Sequence, residues 1–216
     1  MSQEQRKIHV TGTGRASKTP DFVVLSLTLS ACNAEHADAI KVAAQQVEML
    51  REALVEVGFD ADDLKTTNFN VEAKYEREDF REGTVKRSRE IFAGFYCRHD
   101  LSLSFDFDAK KLDAALLAVT NCLSQPKISV AFTVKDTSAL SDAILKSAAK
   151  DARRKAKVLC AASGVTLGKL LEIVYTPEDF SVSREIVAGA SDNAEFNFRP
   201  EKLTVSDTAE FFWEFE

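Results

Sequence analysis

Apolar positions in this chain follow two periods, and the switches between them outline most of the elements. From Phe22 to about Ala31, Val23, Leu25, Leu27 and Leu29 alternate with Val24, Ser26, Thr28 and Ser30, the pattern of a half-buried strand. Asn33 suits an N-cap and Glu35 the first turn of a helix. Beyond them Ile40, Ala43, Val47, Leu50, Leu54 and Val57 recur at helical spacing, until Gly58 supplies a left-handed C-cap. Period two returns from Leu64 to about Glu76, where Thr67, Phe69, Val71, Ala73 and Tyr75 share a face. It returns again from about Ile91 to Phe107, with Leu101, Leu103, Phe105 and Phe107 apolar. Between these two runs the acids Glu76, Glu78, Asp79, Glu82 and Glu90 balance the bases Arg77, Arg81, Lys86, Arg87 and Arg89. That mixture predicts a solvated, mobile hairpin end.

In the second half, Asp108 is placed to cap a helix carrying Leu112, Leu116, Val119 and Leu123 and stopped by Pro126. Ile128, Val130, Phe132 and Val134 then mark a strand. The longest helix runs from Ser138 to Gly164, with Leu145, Ala149, Ala152, Ala156 and Leu159 as its buried stripe. So many alanines imply a close approach to whatever the helix packs on, because a short side chain leaves little standoff. A strand from about Leu170 to Tyr175, a weakly periodic and flexible excursion from Ser181 to Arg199, and a strand from Lys202 to Glu216 complete the chain. The opening segment, Lys7 to Ala16, contains Gly12 and Gly14 and ends at the turn Pro20-Asp21. Hairpins interleaved with helical crossovers predict an α+β fold: an antiparallel sheet with three helices packed on it, in one domain spanning residues 1–216. The succession of helix, Gly58 and strand at Leu64 is echoed by helix, Gly164 and strand at Leu170.

Composition narrows the function classes. With 216 residues, 45% of them hydrophobic, the chain can bury a sizeable core. A net charge of -6 argues against a nucleic-acid partner, which would call for a basic surface. The N-terminus is polar, and the longest apolar run, Phe22 to Leu29, is broken by serine and threonine, so neither a secretory signal nor membrane insertion is expected. The expected compartment is the cytoplasm. The cysteines Cys32, Cys97, Cys122 and Cys160 are far apart in sequence and read as buried small hydrophobes.

No motif announces catalysis. Thr11-Gly12-Thr13-Gly14-Arg15-Ala16-Ser17 lacks the third glycine and the following helix of a dinucleotide fingerprint, so its glycines mark a bulge or a close backbone contact. His9, His36 and His99 fall in three elements without metal-ligand spacing, and His99 and Asp100, as strand neighbours, point to opposite faces. Asp106 and Asp108 read as capping groups. Asp60, Asp62 and Asp63 lack the spacing of a calcium loop. No catalytic, cofactor-binding or metal-ligating residue is expected. On the longest helix Lys146, Lys150, Arg153, Arg154 and Lys157 share one face, either solvated or set against an acidic partner. In the last strand Phe211, Trp213 and Phe215 occupy one face and Phe212 the other, with Phe196 and Phe198 just upstream. Aromatics on both faces imply that both are covered, by the 181–199 excursion or by another subunit. Phe196, Phe198, Phe212 and Trp213 are thus the expected interface.

Taken in order, these elements resemble the SIMPL-domain family, found as bacterial periplasmic and cytoplasmic proteins and as a mammalian kinase-binding signalling protein. The resemblance rests on Ile8-His9-Val10-Thr11-Gly12-Thr13-Gly14 with Pro20-Asp21 after it, and on the helix ending at Gly58 before Leu64-Lys65-Thr66. It rests also on Ala152-Arg153-Arg154-Lys155-Ala156 within Ala148–Ala162, on Gly164-Val165-Thr166-Leu167-Gly168, and on the alternating strand after Pro200. The resemblance implies an antiparallel sheet with packed helices, oligomeric rings in some members, links to envelope or oxidative stress and to kinase signalling, and no established enzymatic activity. With no secretory signal expected at its polar N-terminus, the chain is expected to differ from the periplasmic members.

The expected function is therefore that of a non-enzymatic, self-associating assembly or scaffold module. A second reading is a monomeric module that offers Lys146, Lys150, Arg153 and Lys157, or the charged hairpin tip, to a protein partner. A third is a small-molecule enzyme, a hydrolase or isomerase, whose site matches no known motif.

Overall fold

A computed structural model of the chain describes residues 6–82, 85–177, 183–187 and 198–216. The elements are β1 (Lys7–Lys18), β2 (Phe22–Asn33), α1 (His36–Glu56), β3 (Leu64–Glu82), β4 (Val85–Asp106), α2 (Ala109–Asn121), β5 (Lys127–Thr133), α3 (Ser138–Ala162), β6 (Leu167–Val174), β7 (Ser183–Val187) and β8 (Leu203–Phe215). Three helices with antiparallel strand pairs make this an α+β fold. The strands divide between two sheets, in the orders β1-β8-β6 and β3-β4-β2-β5-β7. The chain correspondingly forms two compact units. One holds β1, α3, β6 and β8. The other holds β2 to β5 with α1 and α2, and β7 lies at the edge of its sheet.

In the larger unit the alternation of β2 sets the register. Val23, Leu25 and Leu27 lie opposite Phe105, Leu103 and Leu101 of β4, and all six join a core with Leu50, Leu54, Leu112, Leu116, Val130 and Phe132. Helix α1 starts later than its cap signal implies. Asn33 is still paired in β2, and its side-chain oxygen accepts the Glu35 N–H at 3.3 Å. The stripe that α1 buries is Ala39, Ala43, Val47, Leu50 and Leu54, which leaves Ile40 and Val57 at its exposed margin. Asp108 caps α2 as expected, accepting the Lys110 and Lys111 N–H groups at 2.8 and 3.0 Å. Leu123 lies beyond the end of α2 and is exposed.

The charged 76–90 segment is a solvent-exposed hairpin end, as expected, and it is paired. The β3–β4 ladder continues through it to Glu82 opposite Val85. Cross-strand chemistry explains why, since opposite charges facing each other stabilise a pair. Arg77 faces Glu90 and Glu78 faces Arg89; Arg89 Nη2 is 2.7 Å from Glu78, and its guanidinium lies 5.3 Å from the Phe80 ring centroid. Where this ribbon begins, the register shifts between Lys74 and Tyr75, opposite Gly94 with a φ of 112°.

In the smaller unit α3 lies on β1 and β8 at very short range. A Cβ on Gly12 would sit 2.7 Å from Ala152 Cβ, and one on Gly14 2.9 Å from the Ala148 nitrogen. The glycines thus mark a close backbone approach, and the alanines of α3 meet them. The buried stripe is Leu140, Ile144, Ala148, Ala152, Ala156 and Cys160. It is rotated from the one the sequence predicts: Ala149 and Leu159 are exposed and Leu145 is half-buried. Around it Val10, Ala209, Phe211 and Trp213 form one apolar cluster, and Val134, Leu140, Ile144 and Leu203 another.

Two further expectations change. Residues 183–187 of the supposed excursion form β7, while Phe196 lies outside the described residues. Cys97, Cys122 and Cys160 are buried, but Cys32 is exposed. It stands on the polar face of β2, opposite Tyr96.

Candidate functional site

The two edges of the three-stranded sheet are built differently. Along β1, side chains of α3 reach the outer main-chain groups. The Thr13 N–H donates to Asp151 Oδ2 at 3.1 Å, the Arg15 N–H to Ser147 Oγ at 3.4 Å, and Lys155 Nζ donates to the Thr11 carbonyl at 3.0 Å. Gly12 and Gly14 are what let the helix come close enough to do this. Asp151 is the hub: Lys155 and Arg154 each lie 2.7 Å from its carboxylate. Lys155, then the Thr13 amide and Arg154, hold this carboxyl far below the ordinary aspartate range. A helix closing a sheet edge in this way removes a pairing template.

The β6 edge has no such cover. Among the described residues no strand pairs with its outer side. Leu170 is 47% exposed, Leu171 39%, Ile173 54% and Val174 41%. Leu170 and Ile173 pair with Trp213 and Phe211, so they share the α3 side of the sheet; Val174 pairs with Glu210 on the opposite side. Aliphatic surface therefore lies on both sides of one open edge, interrupted only by Lys169 and Glu172. At the end of β6, Tyr175 donates its hydroxyl hydrogen bond to Asp207 at 2.8 Å. Asp207 is 5% exposed, and this bond ties the strand exit to β8.

The aromatic residues expected at an interface occupy different places. Trp213 is only 7% exposed and stacks with Phe211 at 5.5 Å in the core of its own unit. Phe212 does face the other side of β8. It is half-buried beneath its own strand partner, stacked on His9 at 4.3 Å and 3°, with Lys7 Nζ 5.6 Å from its centroid. His9 also lies 3.1 Å from Glu210. Phe198 packs on Phe132 at 5.8 Å in the other unit. The apolar surface missed in the sequence is β6 itself. Its residues read correctly as a strand, but alternation says nothing about which strand will stand at an edge.

Lys146, Lys150, Arg153 and Lys157 are all exposed along one ridge of α3, whereas Arg154 turns to Asp151. Several polar groups of the larger unit are engaged locally. Asp100 accepts from Thr28 at 2.7 Å, Arg98 at 3.0 Å and Asn68 at 3.3 Å, and its carboxyl is held below the ordinary range by these bonds despite the opposing effect of burial. His99 points the other way, to Thr66 at 2.9 Å and to the edge of Phe69, and burial lowers its pKa. Asp60 and Asp63 cap each other's backbone in the 3-10 turn Ala61–Asp63, beside an open depression reaching Lys65, Ser102 and Ser104. Among the described residues no group of three or more His, Cys, Asp or Glu side chains could hold a metal ion. No described helix is long and apolar enough to cross a membrane.

Over residues 8–213 the chain matches the family model described as SIMPL, protein of unknown function (DUF541). No curated protein matches it significantly. With a match over nearly its whole length, and with the α+β architecture that the resemblance implies, the chain belongs to the SIMPL family.

Proposed function

We propose that this SIMPL-family chain is a non-enzymatic, cytoplasmic self-associating module, serving as an assembly or scaffold unit. The observation that carries this reading is the open β6 edge, where Leu170, Leu171, Ile173 and Val174 are each more than a third exposed. Such an edge is a template for strand pairing, and sheets that must remain alone blunt it with charge, proline, bulges or a covering helix; β6 has irregular register on both sides of Leu170 yet still exposes these four aliphatic side chains. Here the covering helix serves β1, and among the described residues no strand pairs with the outer side of β6. Light scattering on the purified chain at micromolar concentration tests the reading: it requires a mass above that of one copy, and a clean monomer sinks it.

A second reading is favoured by the α3 ridge. Lys146, Lys150, Arg153 and Lys157 stand exposed at helical spacing and fit an acidic protein surface. The variant Lys150→Glu/Arg153→Glu/Lys157→Glu should then lose binding to a poly-glutamate probe in fluorescence anisotropy while keeping its circular dichroism. Binding equal to the parent's removes this reading.

A further inference from the structure

We infer that the self-association just proposed, on which this inference rests, is a two-fold pairing of β6 with β6 of a second copy, and that it stops at two copies. The inner-face residues of β6 carry the geometry. Leu167, Leu170 and Ile173 lie opposite Phe215, Trp213 and Phe211, so all three project to the α3 side. β6 departs from regular pairing on both sides of Leu170, between Leu167 and Leu170 and between Leu170 and Glu172. A two-fold axis at Leu170 maps these irregularities onto each other along with the apolar set, setting Leu170 against its own copy and Leu167 against Ile173. Every apolar residue on that face then meets an apolar partner. In the same register Lys169 lies opposite Leu171 and Glu172 opposite Gly168, so neither charge meets its like. A two-fold contact must be self-complementary, and this strand is. Centring the axis on Glu172 would instead oppose two carboxylates, which is destabilising.

Such pairing joins two three-stranded sheets into one continuous sheet whose outer strands are both β1. Those ends are closed, because Asp151, Ser147 and Lys155 already bond the Thr13, Arg15 and Thr11 main chain. β6 is itself used up by the pairing, so this mode of association closes at two copies.

The test is site-directed cross-linking of the full chain, with Cys32→Ser removing the exposed native thiol. Directly opposed residues of an antiparallel pair have Cα atoms about 4.5–5.5 Å apart, within disulfide reach. Leu170→Cys should therefore give a covalent dimer on mild oxidation at least about tenfold faster than Glu172→Cys, whose counterpart is not opposite it. Leu170→Lys, at a half-exposed position, should halve the mass of the parent dimer in light scattering with unchanged circular dichroism. A parent chain that is monomeric at about 100 μM overturns both this inference and the reading beneath it. A parent larger than two copies, or a dimer that ignores Leu170→Lys and cross-links no faster through position 170 than through 172, overturns the β6 pairing and leaves self-association standing.

Discussion

Replacing Gly14 with alanine probes how α3 rests on β1. The added Cβ would land against the Ile144 carbonyl oxygen, 2.7 Å from the Ile144 carbonyl carbon and 2.9 Å from the Ala148 nitrogen. All three atoms are helix backbone and cannot swing aside as the end of a long side chain would. Ordinary carbon contacts lie at about 3.5–4.0 Å, so α3 must lift by roughly 1 Å. That lift stretches the Arg15 N–H bond to Ser147, already 3.4 Å long, and opens a gap along Ala148, Ala152 and Ala156. Overpacking of this kind costs about 1–3 kcal/mol, and rigid opposing atoms place it near the upper end. Against it, alanine restricts the unfolded chain and contributes about 0.4–1 kcal/mol of stability. The net expectation is a loss of about 2 kcal/mol, or roughly 4–8 °C in Tm for a chain of this size. Thermal melts followed by circular dichroism, backed by urea unfolding, read it directly. A variant as stable as the parent, or more stable, would refute the close approach of α3 to β1.

Other predictions concern single side chains. Asp108→Ala removes the cap of α2 and should cost about 1 kcal/mol in urea unfolding, within the usual range for N-caps; a change below a few tenths would show that the two bonds to Lys110 and Lys111 carry nothing. Tyr175 should ionise above the ordinary tyrosine range because its hydroxyl donates to Asp207. Its phenolate absorbance should appear at lower pH in Asp207→Asn, and an unshifted titration would dissolve that bond. Asp151 contributes through a carboxyl whose folded pKa is depressed by Lys155, Thr13 and Arg154. Its contribution is therefore complete above about pH 4, the unfolded aspartate value, and fades as pH falls toward the folded one. The stability gap between the parent and Asp151→Asn should accordingly be widest near neutrality and narrow below about pH 4; a gap that does not change with pH would contradict this.

Much of the architecture can be read from local chemistry, and what cannot is non-local. The run Val23–Leu29 fixes a strand and its buried face, because alternation with serine and threonine leaves one choice of side. Asp108 and Gly58 mark helix ends by backbone needs that few other residues meet. The rotation of α3 is another matter. Alanine stands at 139, 143, 148, 149, 152, 156, 161 and 162, so several faces are equally small. Gly12 and Gly14, more than a hundred residues away, select the face through Ile144, Ala148 and Ala152. The 76–90 ribbon reads as a solvated hairpin end because its residues are charged, and only the register reveals that Arg77 lies opposite Glu90 and Glu78 opposite Arg89. Phe212 reads as a surface in need of a cover, yet His9 on the neighbouring strand supplies one. The bareness of β6 depends on strand order, which no local pattern encodes.

Seen as a mechanical part, the β3–β4 ribbon beyond Gly94 is a zipper fastened by electrostatics. Its cross-strand fastener, Arg89 with Glu78, is solvent-exposed, and the range over which charges sense one another shrinks from about 10 Å at 0.1 M salt to about 3 Å at 1 M. Rising ionic strength should therefore loosen it from the Phe80–Arg87 end inward, in a graded way visible as faster amide exchange. The hydrocarbon interior under β2 should keep its protection, so brine would distinguish the two kinds of glue within a single chain.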